Sequence, residues 1–271
     1  MSPAADPDEL LDVAREAAAA AAAVLLSRFR KPATGVTTKS SRTDPVSDAD
    51  RLAEAAIGEV LRHRRPGDTV LGEESGETQQ GTGSVRWVVD PLDGTVNYLY
   101  GQPMWAVSIA AEMAGAVVAG VVAQPCTGEV FAARRGGGAS LDGETLTVSA
   151  SRELSTSLVA TGFAYLPEIR ARQAAVLTGL LPRVRDVRRG GSAALDLAHV
   201  AAGRLDVYYE TGLAIWDVAA GRLLVTEAGG TSTALASGAS PAPARERDVG
   251  LVAGPPALVE ALAELLSEIG T

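Results

Sequence analysis

Residues 88–101 read VVDPLDGTVNYLYG, and the fold turns on how this stretch divides. Residues 85–89 have the β-branched and aromatic character of a strand, which delivers Asp90 at its C-terminal end, the usual place for ligands in sheets flanked by helices. Pro91 holds Asp90 extended, and the Leu-Asp-Gly turn that follows swings Asp93 round to the same side. Gly94 permits a close approach, and Thr95 opens a helix whose first amides have no partner inside it, a cradle for phosphate oxygens. Two carboxylates in one small space raise each other's pKa unless a hard divalent cation bridges them. Taken by itself, the string fits a polar turn after a strand equally well.

Acids at comparable junctions bear on that choice. GDTVLGEESG (67–76) puts Glu73 and Glu74 directly after another short strand, and ETGLAIWDVAAG (210–221) puts Asp217 at a helix start beside Trp216. Asp48 stands at the beginning of the helix that Ser47 caps. Singly, each has a plainer reading, as a solvated loop or as an acid favoured by a helix dipole. Together with Asp90 and Asp93 they are better explained by an all-oxygen Mg2+ site.

Outward from these motifs, hydrophobic spacing predicts a helix from about residue 10 to the Lys31-Pro32 step and a second over 48–65, stopped by Pro66-Gly67. A strand at 69–71, a polar loop at 75–84 and a three-stranded antiparallel meander (105–111, 117–123, 129–133) complete a first half, residues 1–150. In residues 151–271, strands at 157–161, 184–187, 205–209 and 249–253 alternate with helices at 167–181, 192–202, 216–228 and 255–269, and residues 237–245 read as a surface connection. The two halves are expected to form one compact α/β unit of mixed α+β character.

Of the 271 residues, 46% are hydrophobic but only 4% aromatic, so the core is built from Ala, Val and Leu. The formal charge of −9 makes nucleic acid and anionic lipid poor default partners. The acids ahead of the apolar run 17–26 argue against a signal peptide, and no stretch reaches membrane-helix length. The single cysteine, Cys126, offers neither a disulfide nor a Cys-cluster metal site and reads as a buried structural thiol. A cytoplasmic protein is expected.

VVDPLDGTVNYLYG, GEES, TDPVSDAD (43–50) and ETGLAIWDVAAG, in their order and separations, closely resemble the inositol monophosphatase family, and RRGGSAALDLAHVAAGRLDVYYE (188–210) extends the resemblance over essentially the whole chain. The resemblance implies the layered αβαβα sandwich of the sugar phosphatases, with a largely antiparallel N-terminal sheet and a mixed C-terminal one. It implies Mg2+-dependent, lithium-sensitive hydrolysis of a small phosphate ester, and a homodimer. Carried over by position, Glu73, Asp90 and the Leu92 carbonyl hold one Mg2+, and Asp90, Asp93 and Asp217 a second. Glu73, with or without Asp48 through water, binds a weaker third. Glu73, Asp93 and Thr95 form the catalytic set, Thr95 orienting the attacking water. The amides of Gly94 and Thr95 hold phosphate. Gly191, Ser192, Ala193, Glu210, Asp93 and Asp217 face the sugar or polyol, and Lys39 belongs to a mobile loop near the metals. Tyr98 departs from a common Phe, and the loop 39–44 is compact.

With only His63 and His199 available, phosphohistidine or Ser-His-Asp chemistry has little material. Water activated by Mg2+ and attacking phosphorus in line is the economical expectation. Myo-inositol monophosphate is the expected substrate. Histidinol phosphate, fructose 1,6-bisphosphate and 3'-phosphoadenosine nucleotides are the alternatives, and a regulatory binding protein on the same fold is the non-enzymatic one.

Overall fold

The computed structural model describes residues 6–39, 41, 43–79, 81, 83–235 and 247–270. Helices α1 (Pro7–Arg28) and α2 (Asp48–Arg64) flank a two-stranded ribbon of β1 (Thr37–Thr38) and β2 (Pro45–Val46). An eight-stranded sheet follows, formed by β3 (Thr69–Gly72), β4 (Gly76–Gln79), β5 (Val85–Asp93), β6 (Ala106–Met113), β7 (Ala116–Gln124), β8 (Glu129–Arg134), β9 (Gly138–Leu141) and β10 (Glu144–Thr145). The short helix α3 (Thr95–Leu99) sits between β5 and β6, and the strand order is β10-β9-β8-β7-β6-β5-β3-β4. A mixed five-stranded sheet, ordered β12-β11-β13-β15-β14, uses β11 (Leu158–Thr161), β12 (Asp186–Arg188), β13 (Val207–Ala214), β14 (Thr231–Ala234) and β15 (Arg247–Gly254). Its helices are α4 (Pro167–Leu180), α5 (Ala193–Ala201), α6 (Ile215–Glu227) and α7 (Pro256–Ile269).

Side-chain alternation along the strands builds the layers. On β5, Trp87 and Val89 pack under α1 and α2, whereas Val88 faces α5 and α6 in the cluster that also holds Ala160, Tyr208 and Leu251 of the second sheet. The far face of that sheet, with Val159, Val207 and Val252, packs against α4 and α7. The result is α, β, α, β, α, as expected, and strands covered on both faces explain the nearly unbroken apolar run of β5. Small residues set the spacing: a Cβ on Gly120 of β7 would lie 3.0 Å from Ala220 Cα on α6.

Several local expectations change. The polar segment 75–84 contains β4, an edge strand held by antiparallel pairing to β3. β14 pairs with β15 where no strand was expected. β7 ends at Gln124, so Cys126 lies in the turn beyond it and is half-buried. The connection expected at 237–245 lies outside the described residues.

Candidate metal-dependent active site

β5 does not stop at Val89. It runs on to Asp93 through an irregularity in which Asp90 pairs with Ser108 and Asp93 with Ala106, three steps on β5 against two on β6. This bulge-like extra residue re-aims the strand end. By alternation Asp90 shares the face of Val88, towards α6, and its Oδ1 accepts the Leu92 amide at 2.9 Å. Asp217 is the third residue of α6, where its Oδ2 accepts the Ala214 amide at 2.6 Å and caps the helix from within. Carboxylate oxygens of Asp90, Asp93 and Asp217 all lie within 4.8 Å of one another. Glu73 leaves β3 with its amide bonded to the Val89 carbonyl at 3.1 Å, which brings its carboxylate beside Asp90.

The electrostatics are those of an uncompensated anion cluster. Burial, then the charges of Glu73, Asp93 and Asp217, push Asp90 well above the usual carboxylate range. Burial and the charges of Asp93 and Glu73 do the same to Asp217. Asp93 is pushed up to about 6, mainly by burial, against the opposing pull of hydrogen bonds from Ser192 Oγ (2.6 Å) and the Ala194 amide (2.7 Å). Those two donors sit at the start of α5 and fix where Asp93 points. An all-oxygen donor set with mutually raised pKa values suits a hard divalent cation, which would keep all three ionised.

The cluster opens into a cavity of about 290 Å3. At its edge Gly94 adopts φ 96° and caps α3, and a Cβ there would meet the Met104 carbonyl at 2.9 Å, so only glycine fits without strain. Thr95 Oγ1 lies 2.9 Å from Asp50 Oδ1 and 3.1 Å from the Leu92 carbonyl. Asp50 is 1% exposed, and its other oxygen accepts the Ser47 amide (2.9 Å) and hydroxyl (2.7 Å). Burial raises its pKa despite those bonds.

The sequence profile of the inositol monophosphatase family matches residues 6–271. The chain belongs to the inositol monophosphatase family. That places it among phosphoric monoester hydrolases. It is 46% identical over 241 residues to the inositol-1-monophosphatase SuhB of Mycobacterium tuberculosis, covering 83% of each chain. It is 40% identical over 222 residues to the Nus factor SuhB of Haemophilus influenzae, covering 82% of this chain and 83% of that one. The crystal structure of the extragenic suppressor protein suhB from Bartonella henselae superposes with TM-score 0.87 at 39% identity, over 96% of this chain and 98% of that one.

In this inositol monophosphatase-family chain, Glu73, Asp90, Leu92, Asp93, Gly94, Thr95, Gly191, Ser192, Ala193, Glu210, Asp217 and Lys39 all border the one cavity. Asp48 does not. It lies on the exposed side of α2, bonded to Arg51 at 2.9 Å, so the geometry gives it no part in a third metal site. Of that segment's acids Asp44 lines the cavity, and Asp50, two residues beyond Asp48, stands behind the wall and reaches it through Thr95 Oγ1. The sequence signal of Asp50 was the capping box formed with Ser47 across the first turn of α2.

Ser192 spends its hydroxyl on Asp93 rather than offering it to a ligand. Lys39 Nζ bridges Glu73 (2.8 Å) and Glu74 (2.5 Å). Burial alone would lower its pKa, but the two carboxylates hold the ammonium well above its usual range. Burial pushes Glu210 up to about 7, while the Tyr208 hydroxyl donates to it at 2.7 Å. Asp196 and Arg189 were not anticipated. Asp196 is buried on α5 and pushed up by burial and the Glu210 charge, and Arg189 opposes that shift. Among the described residues, Lys39 and Arg189 are the cations lining the cavity.

Proposed function

We propose that this chain hydrolyses myo-inositol monophosphate to inositol and inorganic phosphate with Mg2+ as cofactor. The observation that carries the reading is the convergence of Asp90, Asp93 and Asp217, from β5 and α6, within 4.8 Å of one another beside Gly94 and Thr95. Glu73, Asp90 and the Leu92 carbonyl would hold one ion, and Asp90, Asp93 and Asp217 a second. Bound there, Mg2+ would acidify the attacking water and neutralise charge on the phosphoryl and leaving oxygens.

The chain's own groups supply position and proton transfer. The Gly94 and Thr95 amides, at a helix start, receive phosphoryl oxygens. Asp50, as acceptor, turns the Thr95 hydroxyl so that an oxygen lone pair faces the cavity and accepts a hydrogen bond from the water that attacks phosphorus. As that water attacks, its proton passes to Thr95 Oγ1 and the Thr95 proton to Asp50, whose raised pKa makes it a stronger base than an exposed carboxylate. Glu210 accepts hydrogen bonds from the hydroxyls of a polyol, and the small Gly191-Ala193 wall leaves room for its ring.

A panel of esters with Mg2+ (inositol 1-phosphate, histidinol phosphate, fructose 1,6-bisphosphate, 3'-phosphoadenosine nucleotides) tests the substrate. The reading predicts the highest kcat/KM for inositol 1-phosphate, inhibition by Li+, and loss of turnover with fold retained in Asp90→Asn and Asp93→Asn. Wild-type rates in either variant would remove the metal from the account. Family resemblance supports a homodimer, which light scattering checks, and the lone cysteine supports a cytoplasmic location.

The Haemophilus influenzae relative's name, Nus factor SuhB, favours a second reading in which the fold also serves as a regulatory binding surface. A stoichiometric protein partner together with no hydrolysis of any ester would make that the primary role.

A further inference from the structure

Beyond the end of α1, residues 27–34 border, with the start of α2 and the end of α3, a second cavity of about 430 Å3 that is open to solvent. Its wall carries Arg28, Arg30 and Lys31, with Ser47 at the start of α2 and Tyr98 and Leu99 of α3. All three cations are exposed, and none has a carboxylate within ion-pair distance among the described residues. Arg30 Nε donates to the Gly101 carbonyl at 3.2 Å and its guanidinium lies over the Phe29 ring, while Lys31 Nζ donates to the Ser27 carbonyl at 2.5 Å. Asp48, which feels the charge of Arg28, is already bonded to Arg51. Cations do suit the negative end of α1, and that accounts for Lys31 on Ser27.

It does not account for Arg30. This residue adopts φ 59°, the left-handed conformation just past a helix end that glycine normally fills. Its Nε and guanidinium face are used on Gly101 and Phe29, while its terminal guanidinium nitrogens have no hydrogen-bond partner among the described residues.

We propose that this cavity is a second ligand site, which takes a small phosphoryl anion on Arg28, Arg30 and Lys31. Two guanidinium groups and an ammonium supply charge-assisted donors for a tetrahedral oxyanion. The volume falls within the range of small-molecule pockets, and Tyr98 and Leu99 give an apolar wall for an organic part. The choice of a phosphoryl over another anion rests on the proposed hydrolase reading, because substrate and product of that reaction both carry the group. The site would communicate with the catalytic cavity through contacts already described. Ser47, on its wall, binds Asp50, which binds Thr95, and α3 links Thr95 to Tyr98 and Leu99.

The test is calorimetric titration of the full chain in EDTA with inorganic phosphate and, separately, with glycerol 2-phosphate. Without metal the carboxylate cluster repels anions, so binding reports the basic cavity. One saturable site per chain is expected. Its affinity should be about tenfold weaker or worse in Arg30→Gly and in Arg28→Gln/Lys31→Gln, with hydrolysis in Mg2+ and no added phosphate within about twofold of wild type. Tighter binding of the ester would assign the site to a phosphorylated metabolite, and tighter binding of phosphate to the product. Arg30→Gly relieves the left-handed strain but gives up the Gly101 bond and the Phe29 contact, so melts of both variants accompany the titrations, and loss of binding with Tm within about 2 °C of wild type is not loss of fold. Absence of saturable binding, or unchanged affinity in both variants, overturns the proposal. Failure of the hydrolase reading would show separately, as no ester turnover with Mg2+.

Discussion

Replacing Asp50 by asparagine separates the proton-transfer role from metal binding. The two Asp50 oxygens accept three hydrogen bonds, two from Ser47 and one from Thr95, and an asparagine has one carbonyl oxygen to offer. If that oxygen keeps the Ser47 bonds, the new NH2 group faces Thr95 Oγ1, forces the hydroxyl to accept, and removes the lone pair that would meet the attacking water. If it faces Thr95 instead, the capping box is lost. Either way a buried bond to a charged acceptor goes, which destabilises the fold by about 1–2 kcal/mol and lowers Tm by roughly 2–8 °C. Loss of the general base lowers kcat by roughly 10²–10⁴-fold. No cluster carboxylate changes, so Mg2+ affinity should stay within about threefold. Initial rates on inositol 1-phosphate at saturating Mg2+, with calorimetry of Mg2+ binding, read both quantities. Asp48→Asn is the paired control, with activity and Tm near wild type because Asp48 lies away from the catalytic cavity and its bonds, to Arg51 and Thr34, are partly exposed to solvent. Wild-type kcat in Asp50→Asn, or an equal loss in Asp48→Asn, would refute the reasoning.

Other expectations follow from the same geometry. In EDTA the protein should lose stability as pH rises from about 4 towards 7, because Asp93 (about 6), Glu74 (about 7) and Glu210 (about 7) hold protons in the folded state that the unfolded chain has released. His199, whose pKa burial lowers, and near pH 4 the bonded Asp48, Glu129 and Asp186 oppose this, but each is shifted less than the buried acids, so a Tm in EDTA that is flat or rising between about pH 5 and 7 contradicts the burial assigned to these acids. Mg2+ at one hundred times its Kd should stabilise wild type by about 2.7 kcal/mol, and thermal melts of Asp217→Asn should show little of that shift. Gly94→Ala, forced to φ 96° against the Met104 carbonyl, should lose about 1–3 kcal/mol of stability and at least tenfold in kcat, read by melts and initial rates.

Much of this architecture was legible because hydrophobic period and punctuation agree. Ser47 and Pro66-Gly67 bracket α2, glycines follow α5 and α6, and the meander strands are apolar runs divided by the Ala114-Gly115 and Thr127-Gly128 turns. Where the reading failed, tertiary pairing decided. β4 reads Gly-Glu-Thr-Gln, with no apolar alternation, and is a strand only because the β3 edge beside it is available. Asp48 and Asp50 are equally plausible as helix-start acids in sequence. The capping box distinguishes them locally, but the contact that gives Asp50 its role is with Thr95, 45 residues further along the chain. Arg189 and Asp196 lie within a motif that was read for its glycine, serine and alanine, and their convergence with Glu210 required the second sheet to be in place.

The central claim is that carboxylates brought together from β3, β5 and α6 hold divalent cations. Crystals grown with Mn2+ in place of Mg2+ and measured for anomalous scattering address it directly. The account predicts anomalous peaks within about 2.0–2.3 Å of oxygens from Asp90, Asp93 and Asp217. A protein that hydrolyses its ester while showing no peak there, or showing its only peak elsewhere, would contradict it.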